Sequence, residues 1–125
     1  MNQIDLETID STHLFAKKHL TEFPQNLITC ITAEEQTAGK GRYDRKWHSP
    51  KGSGLYTTFC LVLPHRTQGI ESLSQILSFS FAQVLQKKGL SPMFKWPNDI
   101  LLDNRKVAGV LTEALFEKEH IWLLS

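Results

Sequence analysis

The stretch Lys95-Trp96-Pro97-Asn98-Asp99, continued by Ile100-Leu101-Leu102-Asp103-Asn104-Arg105-Lys106-Val107-Ala108-Gly109, decides how the chain is read. Pro97 fixes its own φ and disfavours a helical Trp96, so a strand over residues 93–96 must stop there. Asn98 and Asp99 then fall on a turn that projects both side chains to one place. Asp103-Asn104 lies between two β-compatible runs and carries hairpin chemistry. The hairpin brings Lys106 back towards Asn98. An ammonium beside an amide and a carboxylate suits a nucleotide with Mg²⁺. The competing reading is an ordinary Pro-Asn-Asp turn with a solvated lysine.

On the C-terminal side, residues 106–116 read as the longest strand, with Gly109 at a point of close approach for backbone or ligand. Residues 117–119 make a turn, and residues 120–125 begin an apolar strand whose exposure would be an aggregation liability. On the N-terminal side, Ile70, Leu73, Ile76, Leu77, Phe81, Val84 and Leu85 recur at helical spacing. They predict an amphipathic scaffold helix over residues 70–88, ended by Gly89 and Pro92. Residues 55–63 read as a strand central in a covered sheet, and Pro64 ends it. Residues 27–33 are a buried strand, and residues 6–9 a short one that leads into a helix over residues 12–20. Ser11 and Thr12 read either as helix caps or as hydroxyls offered to a ligand at a strand end.

Between these strands lies Glu34-Glu35-Gln36-Thr37-Ala38-Gly39-Lys40-Gly41-Arg42-Tyr43-Asp44-Arg45-Lys46-Trp47. Its glycines admit close backbone approach to a ligand and cheap reordering, and its cations outnumber Asp44. It is neither a Walker loop nor a dinucleotide fingerprint. A solvated basic loop is the competing reading. Trp47 can anchor the far end of the loop or close over an apolar ligand.

Bulk properties exclude several classes. With 125 residues, 41% apolar and 22% charged, the chain reads as one ordinary globular domain. A formal net charge of +1 gives no general pull to nucleic acid or an anionic surface. No run approaches the ~18 apolar residues of a membrane span. The N-terminus has no signal-peptide pattern, and Cys30 and Cys60 sit in apolar runs that favour reduced, buried thiols. Cytoplasmic residence fits. The histidines show no metal-ligand spacing.

Taken in order, Asp10-Ser11-Thr12, the segment 34–47 with Ser49-Pro50, and the run from Lys95 through Lys106-Val107-Ala108-Gly109 to Glu113 resemble the catalytic domain of biotin–protein ligases. The resemblance spans nearly the whole chain. It implies an α+β domain, a mixed sheet with helices packed mainly on one face, like class II aminoacyl-tRNA synthetases. It also implies ATP-dependent formation of biotinyl-5′-AMP and transfer of biotin to a lysine of a biotin carboxyl carrier protein domain. Nucleic acid and membrane are not expected partners, and a homodimer is left open. The alternatives are a non-catalytic remnant that binds biotin or its adenylate and, on the same fold, a lipoate ligase.

The resemblance also implies site residues. Ser11, Thr12, His13 and Gln36 would meet the ureido head of biotin, whose buried polar groups need partners. Gly39, Lys40, Gly41 and Arg42 would fold over biotin, with Gly109 and Lys106 at its carboxylate. Lys40, Arg42, Arg45, Trp47, Lys95, Asn98 and Asp99 would serve ATP, with Asp99 towards Mg²⁺. Lys106 and Arg42 would be catalytic, neutralising charge that develops during in-line attack. Three positions depart from the family pattern: Lys40 where Arg is common, Asp44 where Gly is frequent, and His13 in place of the usual Asn. Family catalytic domains also continue beyond position 125 through a further strand and an SH3-like domain. Residues 1–125 are therefore expected to be the N-terminal part of such a domain.

Overall fold

The computed structural model describes residues 1–125, which form two compact units. The first contains Met1–Thr67 and Glu113–Ser125, and the second contains Gln68–Thr112. Each is built on its own sheet.

The first unit opens with strand β1 (Asn2–Ile9), helix α1 (Thr12–Lys18) and strand β2 (Thr29–Gln36). β1 and β2 pair in parallel, which a tight turn cannot connect, and α1 supplies the crossover. β1 is twice the length expected for residues 6–9. Its outward positions carry Gln3, Asp5, Glu7 and Thr8, which mask the strand in a hydropathy reading. Strands β3 (Tyr56–Pro64), β7 (Glu113–Phe116) and β8 (His120–Leu124) complete a five-stranded sheet in the order β1-β2-β3-β8-β7. Every pairing after β1–β2 is antiparallel.

The α1 face of this sheet carries the core. Ala16 and Phe23 meet Ile31, Cys60, Trp122 and Leu124, flanked by Ile4, Leu6, Phe15, Leu20, Val62 and Leu115. Burial pushes the Cys60 thiol up to about 11, which keeps it protonated at neutral pH. The two cysteines are free and buried, as their apolar surroundings imply.

The second unit contains helix α2 (Leu73–Lys87) and strands β4 (Met93–Lys95), β5 (Asp99–Leu102) and β6 (Arg105–Gly109), paired antiparallel in that order. Asp103 and Asn104 have φ of 48° and 62°, the two positive values of a type I′ hairpin. A bulge between Ile100 and Leu101 shifts the register, so that Asp99 faces Gly109 and Leu101 faces Lys106. Gly89, with φ of 81°, ends α2 as its composition implies.

Three expectations need correction. Residues 106–116 are not one strand: β6 and β7 belong to different sheets, and Val110–Thr112 separates them. A continuous apolar run hides such a break because either sheet accepts it. The final strand is not an exposed edge either. β8 lies between β3 and β7, with Ile121 through Leu124 buried. Nor does α2 bury its large apolar stripe. Its buried residues are Ser78 and Ala82, whereas Ile76, Phe81 and Val84 are exposed. Small residues let a helix approach strands closely, and bulk does not.

Candidate functional site

In the first unit the predicted residues meet where β1 runs into α1. Ser11 is the N-cap of the helix: its hydroxyl accepts the Leu14 N–H at 3.4 Å. Asp10 Oδ1 accepts the Ser11 N–H at 2.7 Å, and Oδ2 meets Lys18 Nζ at 3.1 Å. The Ser11 amide, and then Lys18, hold the Asp10 carboxyl below its ordinary range.

Thr12 does something different. Its N–H and its hydroxyl both donate to Gln36 Oε1, at 2.9 and 3.1 Å. A hydroxyl carries one proton, so the 2.9 Å contact between Thr12 and Thr58 has Thr58 as donor. Gln36 Nε2 donates to Ser49 Oγ at 3.1 Å, and Ser49 donates to the Trp47 carbonyl at 3.4 Å. The result is a directional row, Thr58 to Thr12 to Gln36 to Ser49, whose three hydroxyl-bearing residues are at most 3% exposed. Both readings of Ser11-Thr12 are thus realised, one by each residue. The sequence alone does not single out Thr58 or Ser49 as members of this row. The available signal was Thr58's inward register, in step with Cys60 and Val62 on an otherwise apolar face.

Gly39 lies against this row. A Cβ built there would stand 2.8 Å from Ser49 Oγ, 2.8 Å from the Trp47 carbonyl oxygen and 3.1 Å from Gln36 Nε2. Beyond it the basic loop folds back on itself. Trp47 N–H donates to the Gly39 carbonyl at 2.8 Å, and Gly41 N–H to the Arg45 carbonyl at 2.7 Å. Lys40 Nζ lies 3.2 Å from Asp44 Oδ1. Arg42 stacks over Tyr43, 5.1 Å from the ring centroid, and donates to its hydroxyl at 3.2 Å. Tyr43 and Asp44 have φ of 58° and 55°, a left-handed conformation that favours glycine. Lys40, Arg42 and Arg45 are exposed, and Trp47 is half-buried.

His13 points to Glu113, a residue that sequence reading placed in the motif without a role. His13 Nε2 meets Glu113 Oε2 at 3.1 Å, and Lys17 Nζ meets Oε1 at 2.5 Å. Lys17 chiefly, and His13 after it, keep the Glu113 carboxyl below its ordinary range against the opposing effect of burial.

In the second unit, Asp99, Lys106 and Gly109 come together. Register puts Lys95, Asp99 and Gly109 on one face, and the bulge in β6 returns Lys106 to that face. Lys106 Nζ lies 2.7 Å from Asp99 Oδ1. It reaches there across Gly109, where a Cβ would stand 3.1 Å from Lys106 Cε. Lys95 is exposed beside this pair in the ladder.

Asn98 does not share a focus with Asp99, contrary to the expected turn. It is buried, with Nδ2 donating to the Val110 carbonyl at 2.6 Å. Its own carbonyl accepts the Val110 N–H at 3.0 Å and the Ser78 hydroxyl at 3.3 Å. Neighbouring residues at a strand entrance alternate sides, and here Asn98 pins the turn while Asp99 serves the open face. No group of three or more His, Cys, Asp or Glu side chains is arranged to hold a metal ion.

The sequence profile of the biotin/lipoate A/B protein ligase family matches residues 6–123. The chain belongs to that family. It is 39% identical over 109 residues to the bifunctional ligase/repressor BirA of Escherichia coli, covering 86% of this chain and 33% of that protein. It is 40% identical over 91 residues to the biotin–[acetyl-CoA-carboxylase] ligase of Paracoccus denitrificans, covering 67% of this chain and 36% of that protein. Among solved structures, the Aquifex aeolicus biotin protein ligase in complex with biotin and ATP superposes with a TM-score of 0.74 at 31% identity. That match covers 98% of this chain and 50% of the Aquifex chain. The chain therefore spans about a third of the length of these curated relatives. The fold is the α+β fold of biotin protein ligases. No helix is long and apolar enough to cross a membrane.

Proposed function

We propose that residues 1–125 are the N-terminal part of a biotin–protein ligase catalytic domain. In the first half-reaction a biotin carboxylate oxygen attacks the α-phosphorus of ATP. The bond to the bridging oxygen breaks, and pyrophosphate leaves. In the second, the amine of a lysine on a biotin carboxyl carrier domain attacks the activated carbonyl, loses a proton and displaces AMP. Little proton chemistry is needed in the first step, so positioning and charge neutralisation carry it.

Family membership supports this reading, and the observation that carries it is the Lys106–Asp99 pair laid across Gly109. Lys106 is a compact cation on an open face, able to leave Asp99 for the converging carboxylate and phosphate oxygens. The Thr12–Gln36–Ser49 row supports the biotin part. A ureido head presents donors and acceptors that can exchange with those of the row, which an apolar head could not do. Ser11 would add its hydroxyl proton, its oxygen already accepting the Leu14 N–H. Gly39, Gly41, Lys40, Arg42, Arg45 and Trp47 would close over the adenylate and shield it from water.

Lys95 and Asp99 would serve the nucleotide, with Asn98 holding their turn. The donor set suits a Mg²⁺ that arrives with phosphate, because hard cations bind through one or two carboxylates and substrate oxygens. Asp99 is one such carboxylate, already held by an ammonium. We place the reaction in the cytoplasm.

The test is biotin-dependent ATP–pyrophosphate exchange by the folded chain, with Lys106→Ala as control. Exchange that falls at least 100-fold in the control supports the assignment. Equal exchange in both proteins removes Lys106 from the chemistry. Biotin binding without any exchange would leave a binding remnant.

A further inference from the structure

Helix α1 has seven residues, about two turns, too few to hold itself in place by local interactions. Its first residue, Thr12, supplies two of the donors to Gln36. The position of that first turn therefore matters, and something outside the helix must set it. Apolar packing of Phe15 and Ala16 seats one side. The other tie is polar and comes from a distant part of the chain.

His13 and Lys17 are four residues apart, one turn, so they point from the same side of α1. Each takes one oxygen of the same carboxylate: Lys17 on Glu113 Oε1 and His13 on Oε2. Glu113 stands on β7, opposite Leu124 of β8, on the sheet face that carries α1. A two-oxygen clamp on both turns of a short helix fixes its rotation and its shift along the axis, which a single hydrogen bond would not. Because the carboxylate is partly exposed, its contribution to stability is small. Its effect is geometric.

We propose that Glu113 is a positioning residue for the ligand head: it clamps His13 and Lys17 and so sets Thr12 against Gln36. This rests on the reading of the Thr12–Gln36–Ser49 row as the biotin site. It gives His13 a role through Glu113 in place of a direct ligand contact. It also makes Lys17, which no motif singles out, a member of the binding apparatus.

The experiment compares wild type with Glu113→Ala and Lys17→Ala by amide hydrogen exchange and by biotin calorimetry. In Glu113→Ala the Thr12 and Phe15 amides should exchange at least tenfold faster, while the β3 amides keep their protection. Biotin affinity should fall about tenfold. Lys17→Ala should move both readouts in the same direction by less, and the double variant should be no worse than Glu113→Ala alone. An unchanged Thr12 amide with unchanged biotin affinity overturns the proposal. So does a uniform loss of protection across the sheet, which marks a merely structural role. If Glu113→Ala does not fold, the Lys17→Ala comparison decides. A wild type that binds no biotin would sink the functional reading instead, while the Thr12 amide still reports on the clamp.

Discussion

Gly109 and Lys106 are coupled through a missing side chain: a Cβ on Gly109 would stand 3.2 Å from Lys106 Nζ and 3.4 Å from Asp99 Oδ1. The glycine is where it is because an ammonium passes over it. Gly109→Ala should therefore cost little stability, under about 1 kcal/mol, since the atoms in the way end a flexible side chain. It should displace Lys106, and adenylate formation should drop about tenfold or more, roughly 1.4 kcal/mol of barrier. A thermal melt beside an exchange assay separates the two effects. A large loss of stability with normal turnover would contradict this account.

Gly39 poses the opposite case. Its neighbours at 2.8 Å include the backbone carbonyl of Trp47, which cannot swing aside. Gly39→Ala must move the backbone or break the Gln36–Ser49 hydrogen bond. We expect a loss of roughly 1–3 kcal/mol in denaturant unfolding, as for overpacking elsewhere. Biotin affinity should weaken in parallel, and by more than in Gly109→Ala, which reaches biotin only through Lys106 at the carboxylate. Matching effects of the two substitutions on biotin affinity would argue against separate roles.

Local chemistry made some of this legible from sequence and left the rest dark. The Asp103-Asn104 hairpin could be read because two adjacent positive φ values demand such residues. Gly89, Pro97 and the Ser11 cap were legible for similar short-range reasons. The His13–Glu113 contact was not, because it joins residues 100 apart whose pairing depends on sheet order. Thr58 was hidden among β-branched neighbours whose strand preference explains them well enough. The break between β6 and β7 leaves no Gly, Pro or charged residue in Val110-Leu111-Thr112, and Val and Thr both favour strands, so a single strand is the natural reading. α2 misled for a related reason, since periodicity locates an apolar stripe without saying what covers it.

Acid should loosen the entry to α1. The folded Asp10 carboxyl titrates below its unfolded value, so it adds stability above about pH 4, where the unfolded group is ionised. That contribution disappears as pH falls through the lower folded value. Asp10→Asn keeps an oxygen for the Ser11 N–H but loses the attraction to Lys18. The variant should be less stable than wild type by up to about 1 kcal/mol at pH 7, a figure kept low because the carboxylate is partly exposed. Urea unfolding at pH 7 and near pH 2 tests the sign. A gap that widens in acid would be the wrong direction.

Asp44 gives the sharpest separation between the loop and the rest of the site. It holds Lys40 at 3.2 Å while adopting a φ of 55°, so it combines an internal anion with a backbone conformation that favours glycine. Asp44→Gly removes both obstacles: Lys40 becomes available to a ligand phosphate, and the left-handed conformation is no longer strained. The ion pair is well exposed and worth little to folding, so stability should change by less than about 1 kcal/mol. Retention of biotinyl-AMP should lengthen several-fold, with biotin affinity unaltered. Arg42→Gly should do the reverse, shortening retention more than it weakens biotin capture, because Arg42 lies in the loop and outside the Thr12–Gln36–Ser49 row. Dissociation of labelled adenylate, measured beside biotin calorimetry, distinguishes these outcomes. Should Asp44→Gly release the adenylate faster than wild type, the acid would be an organiser of the closed loop rather than a competitor for its cation.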